Sequence, residues 1–153
     1  MDAEVWPDER VVRFVNESFL PARVHVKDDA EEFKRYGQKY NAQWTPTILL
    51  LDPDGEERWR VEGFLPQDDF LGQLMLGRAQ MDFKQGKWAE AEKRFRELME
   101  KLPKSDAAPE AQYWAGVSKY KASNDPAALK ATAKAFTTRY KDSSWAKKAS
   151  IWA

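Results

Sequence analysis

A mixed α/β half followed by an all-α region of helical hairpins is the fold class this sequence predicts. Three observations carry that reading. Residues 1–66 alternate helical and strand-like stretches and hold five of the eight prolines, whereas residues 67–153 read as helix throughout. The charge divides at the same place: nine Lys/Arg against fourteen Asp/Glu before it, sixteen against eleven after it, so a net of −5 is followed by a net of +5. The second half also repeats itself. At an offset of 38, Ser105, Ala108, Ala111 and Trp114 match Ser143, Ala146, Ala149 and Trp152.

The elements follow in order. Pro7-Asp8 opens a helix whose apolar face is Val11, Val12, Phe14, Val15 and Phe19, until Pro21 breaks it. Ala22-Arg23-Val24-His25-Val26 alternates and is β-branched, which predicts a strand. Asp28-Asp29 caps a second helix with Phe33 and Tyr36 facing inward and Gly37 as its stop. Thr47-Ile48-Leu49-Leu50-Leu51 is a continuous apolar run, as in a strand covered on both faces. Asp52-Pro53-Asp54-Gly55 is a turn signal, because Pro fits the second position and Gly tolerates positive φ. Arg58 to Phe64 returns as the second arm of a hairpin, and Pro66 begins a helix containing Phe70, Leu71, Leu74 and Met75. Counting that helix with the first half gives domains of 1–80 and 81–153.

In the second half, turns fall at Gly86, Pro103 and Asp125-Pro126. A period near 38 filled by two helices and short turns marks a helical-hairpin solenoid. Ala89, Ala91, Ala115 and Ala131 are small residues for close helix approach, and Phe95, Leu98, Leu102, Phe136 and Tyr140 supply bulk. One hairpin cannot bury its own apolar face, so neighbours share a core.

Composition excludes several functions. The chain has no cysteine, which removes thiolate catalysis, zinc–thiolate sites and iron–sulfur clusters from its own residues, and one histidine, His25, which removes any multi-His metal site. No cofactor is implied. Lys+Arg and Asp+Glu balance at 25 each, which disfavours a globally basic nucleic-acid binder. No stretch approaches the ~20 apolar residues of a membrane span. Met1-Asp2-Ala3-Glu4 shows no basic or apolar leader region, and the compartment, cytoplasmic or periplasmic, is not readable.

From Trp44-Thr45-Pro46-Thr47 through the apolar run to Asp54-Gly55, then Gly63-Phe64 and the helix from Gln67, the first half resembles a thioredoxin-like domain. Tyr36-Gly37 upstream fits the same pattern, and the resemblance covers roughly residues 1–80. Gly86-Lys87-Trp88-Ala89-Glu90-Ala91, and the stretch from Ser105 to Trp114, are similar to tetratricopeptide-type repeats of the variant found in bacterial envelope and assembly proteins. The thioredoxin family performs thiol–disulfide exchange with a Cys-x-x-Cys motif and serves cell redox homeostasis. Met1 would match a position just after those cysteines. The resemblance therefore implies a domain shortened at its N-terminus, without its central strand. The vacant slot between residues 22–26 and 47–51 is expected to close by direct pairing, remain a gap, or take a strand from another chain or a dimer.

The resemblance also implies a peptide-binding loop at Trp44, Thr45 and Pro46. Pro46 would be the family's cis-proline and Thr45 the residue that pairs with a substrate main chain. The plain alternatives are an ordinary proline before a strand and, for Trp44, a hydrophobic cover at the domain edge. His25 has no partner by spacing and reads as a hydrogen-bonded structural histidine. Asp28-Asp29 with Glu31-Glu32 lacks EF-hand spacing and reads as a solvated helix start. From Lys119 onward eight Lys/Arg face two Asp/Glu, either a solvated helical face or a surface for an acidic partner. Two functions compete: a thiol–disulfide oxidoreductase with a protein-interaction module, its catalytic cysteines absent from these residues, and a redox-dead adaptor that binds protein or peptide partners.

Overall fold

The computed structural model describes residue 1 and residues 3–153. The chain forms two compact units, Met1–Leu71 and Gly72–Ala153. The first contains α1 (Glu9–Ser18), α2 (Ala30–Lys39), β1 (Thr47–Leu51), β2 (Glu57–Glu62) and the start of α3 (Gln67–Lys84). The second contains the rest of α3, then α4 (Trp88–Lys101), α5 (Ala108–Ser123), α6 (Ala127–Phe136) and α7 (Ser144–Ala149), and ends in a 3-10 turn, Ser150–Trp152.

In the first unit Asp8 caps α1, its Oδ1 accepting the Arg10 backbone N–H at 2.8 Å. The residues before α1 attach to the start of α3. Gln67 Nε2 donates to the Glu4 carbonyl at 2.6 Å, Arg10 Nη2 lies 2.9 Å from Asp68 Oδ1, and Trp6 meets Phe70 edge-on with ring centroids 5.4 Å apart. Val5, Val11, Leu50, Val61, Phe70 and Leu71 are the buried apolar side chains of this small core. β1 and β2 pair antiparallel, Thr47 opposite Glu62 and Leu50 opposite Trp59, with a bulge between Leu50 and Leu51. The turn between them is fixed by Asp52, whose Oδ1 accepts the N–H groups of Asp54 and Glu56 at 3.0 Å each, and by Gly55 at φ +80°.

Four expectations are corrected here. Residues 22–26 form no strand, and the sheet has two strands among the described residues. A strand needs a partner strand, and among the described residues none pairs with this stretch. Local bonds take its polar groups instead: the His25 N–H donates to Asp29 Oδ2 at 2.8 Å, and the Asp28 N–H donates to His25 Nδ1 at 3.2 Å. Direct pairing of residues 22–26 with β1 therefore does not occur. Second, Asp29 stands at the N-cap of α2 but makes no side-chain cap bond, since its carboxylate is used by His25. Third, α2 buries no residue; Phe33 is half-buried, Tyr36 is exposed, and the helix runs past Gly37 to Lys39. Fourth, β1 is not covered on both faces. Only Leu50 is buried, while Thr47, Ile48, Leu49 and Leu51 are half-buried, because a two-stranded ribbon has too little surface to enclose them.

The second unit holds most of the buried apolar side chains, including Leu74, Leu76, Phe95, Leu98, Leu102 and Phe136. The helix breaks fall at 85–87, 102–107, 124–126 and 137–143, with Gly86 at φ +75° and Asn124 at φ +54° in the left-handed conformation that ends helices. α3 and α4 are joined by a buried carboxylate. Asp82 receives Arg78 Nη1 and Arg94 Nε, each at 2.7 Å, and its carbonyl accepts the Lys87 N–H at 3.0 Å. The sequence repeat has a matching geometry. Ser105 donates through both N and Oγ to the Leu102 carbonyl (3.1 and 3.0 Å), and 38 residues on Ser143 does the same to the Tyr140 carbonyl (3.0 and 2.7 Å).

α5 and α6 come close together at Gly116. A Cβ built there would lie 1.9 Å from Thr132 Oγ1 and 2.7 Å from Thr132 Cβ. Gly116→Ala should therefore destabilise the second unit by about 1–3 kcal/mol, the usual range for overpacking. Adding Thr132→Ala should recover only part of the loss, because the Thr132 Cβ remains. Urea denaturation of the two variants beside the parent tests this, and a neutral Gly116→Ala would contradict the close approach.

Candidate functional site

The loop before β1 brings Trp44, Thr45 and Pro46 together. Trp44 is 70% exposed, Thr45 is exposed and Pro46 half-buried. The Thr45–Pro46 bond is cis. Both ends of the loop are held. On the strand side, the Pro46 carbonyl accepts the Gly63 N–H at 2.8 Å, and Thr47 Oγ1 donates to the Trp44 carbonyl at 2.6 Å. Gly63 sits at φ +83°, a conformation that a residue with a Cβ rarely adopts. On the helix side, Tyr40 donates its hydroxyl to the Gly55 carbonyl at 2.8 Å, and Asn41 turns the chain at φ +51°.

Arg60 is the brace between the two sides. From β2 its Nη2 donates to the Tyr40 carbonyl, while the guanidinium is shared between Glu57, at 2.6 Å, and Glu62, at 2.7 Å. Those carboxylates raise the Arg60 pKa, and Arg60 in turn lowers that of Glu57. Asp52, at the hairpin turn, is likewise held below the usual carboxylate range, first by the Glu56 backbone N–H and then by Arg58. Sequence reasoning missed Arg60, because alternating charges on a strand do not reveal which carbonyl an arginine will reach.

An exposed indole and the backbone of Thr45 can hold an extended chain by stacking and main-chain hydrogen bonds, and no side chain of Trp44, Thr45 or Pro46 is a nucleophile activated by a neighbouring base. His25 lies at the turn before α2, where its Nδ1 accepts backbone N–H groups.

The second unit brings five aromatic rings, Phe83, Tyr113, Trp114, Trp145 and Trp152, into one seam. Tyr113 stacks on Trp152 at 4.8 Å, Trp114 meets Phe83 at 5.1 Å, and Lys148 Nζ lies 3.7 Å above Trp145. Glu110 accepts from Trp114 Nε1 at 3.3 Å, and burial pushes its carboxyl above the usual range. These rings fill gaps between helices. The eight basic residues from Lys119 onward are all exposed, and three of them, Lys121, Arg139 and Lys148, lie over Trp88, Tyr140 and Trp145.

Comparison with known proteins gives one family match. Residues 1–76 match the family described as Thioredoxin-like domain, so a thioredoxin-like domain occupies the first half of the chain and a helical region follows it. No curated protein and no solved structure matches the chain.

The shifted carboxylates lead to a pH prediction with opposite signs in the two units. Asp52 and Glu57 have lowered folded values, so their contribution is present above the ordinary value of about 4 and is lost as pH falls through the lowered values. Glu110 has a raised folded value, so its contribution is fullest below about 4.3 and is lost as pH rises through the raised value. Glu110→Gln keeps an acceptor for Trp114 and should remove that second dependence without lowering stability at pH 7. Denaturant titration of both proteins between pH 3 and 7, roughly spanning the ordinary carboxylate range, checks this; a variant less stable than the parent at pH 7 would contradict it.

Proposed function

We propose that the protein is a non-enzymatic adaptor that binds protein partners. Its thioredoxin-like domain would hold an extended peptide at Trp44, Thr45 and Pro46, and its helical region would act as tetratricopeptide-type repeats engaging a further stretch of protein. The observation that carries this reading is Trp44, a large aromatic side chain 70% exposed on a loop braced at both ends, in a chain with no thiol. Large exposed aromatics on rigid supports are what protein interfaces use as anchors. The recurrence of the Ser105 turn at Ser143 supports the repeat reading.

The match over residues 1–76 favours one other reading, a thiol–disulfide oxidoreductase. Exchange requires a thiolate as the attacking group, and these 153 residues contain none. That activity would need a Cys-x-x-Cys supplied from outside them, and the codons upstream of Met1 decide whether one is encoded.

Two measurements test the proposal. The pure chain should reduce insulin no faster than a protein-free control; turnover above that control refutes the adaptor reading. A library of unstructured ten-residue peptides, screened by calorimetry, should yield ligands whose affinity falls at least about fivefold in Trp44→Ala, equivalent to about 1 kcal/mol. Affinities unchanged by that substitution would remove Trp44 from the site.

A further inference from the structure

We propose that the groove between the Ser105 turn and the Ser143 turn binds an acidic peptide segment, which sets one apolar side chain between the two turns. The proposal rests on the reading of the helical region as a protein-binding module, and it names where that region binds and what it takes. The groove has its cause in the repeat. At the first turn, Ser105 and Ala107 press against Gly72 of α3: a Cβ built on Gly72 would lie 3.0 Å from Ser105 Oγ and 3.2 Å from the Ala107 Cβ. At the offset of 38, Gly72 is replaced by Glu110 and Ala107 by Trp145. So close a contact cannot recur between a glutamate and a tryptophan, and the second turn stands off the start of α5. The space left is a groove of about 570 Å³, a size within the roughly 300–1,000 Å³ of ligand-binding clefts.

The walls of the groove are fastened to each other. The Tyr140 hydroxyl donates to the Pro103 carbonyl at 2.8 Å, which ties turn to turn, and Arg139 Nη2 donates to the Met99 carbonyl at 3.1 Å. Tyr140 is held at φ +60°, a left-handed conformation that bulky residues rarely adopt. A groove formed in advance binds without the cost of ordering its own walls.

The occupant follows from the lining. Pro103, Pro109 and Trp145 give the groove apolar walls, which suit an apolar side chain and which a small inorganic anion would leave uncovered. The rim is basic. Lys104 lines the groove, Lys141 follows Tyr140 in the chain, and Lys147 lies one helical turn on from Ser144. All three lysines are exposed, and among the described residues none of them forms an ion pair. Of the nearby carboxylates, Asp106 is already engaged by an interaction of its own and Glu110 accepts from Trp114, which leaves Asp142 against three lysines. Carboxylates on either side of an apolar residue complement that arrangement.

The test uses the full chain and a fluorescein-labelled peptide of about nine residues, glutamates flanking one central leucine. Fluorescence anisotropy should show binding that weakens as salt is added, since the screening length falls from about 10 Å at 0.1 M to about 3 Å at 1 M. Lys104→Glu combined with Lys141→Glu should weaken binding at least about tenfold. Lys119→Glu combined with Lys130→Glu, at the other end of the α5–α6 hairpin, should leave it unchanged, as should Trp44→Ala. Replacing the central leucine of the peptide by serine should weaken binding at least about threefold, because the apolar walls lose their occupant. The proposal is overturned by a parent that does not bind, by equal losses in the two lysine pairs, or by equal affinity for the leucine and serine peptides. Tighter binding of a labelled oligouridylate than of the acidic peptide also overturns it. The adaptor reading stands or falls separately: library ligands that depend on Trp44 would uphold it while the groove fails.

Discussion

The first unit depends on one ladder, the antiparallel pairing of β1 with β2. Each device around it serves that pairing. Asp52 closes the turn by accepting two backbone N–H groups, and the bond from Gly63 to Pro46 extends the ladder one step beyond the strands. Arg60 carries its influence outward by reaching from β2 to the end of α2. The loop holding Trp44 is rigid because both of its ends are fastened to this ribbon. The constraint is also a weakness: a two-stranded ribbon buries little, and most of the exposed large apolar side chains, from Val12 and Leu20 to Trp44 and Phe64, lie in this unit.

The second unit relies on close packing of small residues instead. Ala108, Ala111, Ala115 and Gly116 let α5 approach its neighbours, and Phe95, Leu98 and Phe136 fill the space that remains. Its most buried carboxylate, Asp82, is matched by two arginines, which offset the desolvation penalty of holding a charge inside a fold. Arg139 adds a link of another kind by donating to the Met99 carbonyl at the end of α4.

Much of this was legible in the residues, and the division follows the range of each interaction. Local signals held. Pro7-Asp8 starts α1, Asp52 to Gly55 makes the hairpin turn, Gly86 ends α3, and the spacing of Ser105 and Ser143 marks a turn that recurs. The candidate loop was named through the resemblance carried by Trp44-Thr45-Pro46-Thr47. The larger failures were non-local. Alternation at residues 22–26 shows side chains suited to a strand, but it cannot say whether another backbone lies alongside. Phe33 and Tyr36 have the spacing of a buried face without a surface to bury it. The bond from Arg60 to the Tyr40 carbonyl and the bond from Arg94 to Asp82 join residues 20 and 12 positions apart, farther than a short window reaches.

The aromatic seam gives the two units different optical signatures. In the second unit Tyr113 touches Trp114, Trp145 and Trp152, and Trp114 and Trp145 lie 6.5 Å apart, close enough for their transitions to couple and for tyrosine excitation to pass to tryptophan. In the first unit Trp44 faces water, which favours a solvent-relaxed, red-shifted emission, beside the half-buried Trp6 and Trp59. Light absorbed by one polypeptide is thus reported from two environments, one ordered by ring stacking and one bathed in solvent.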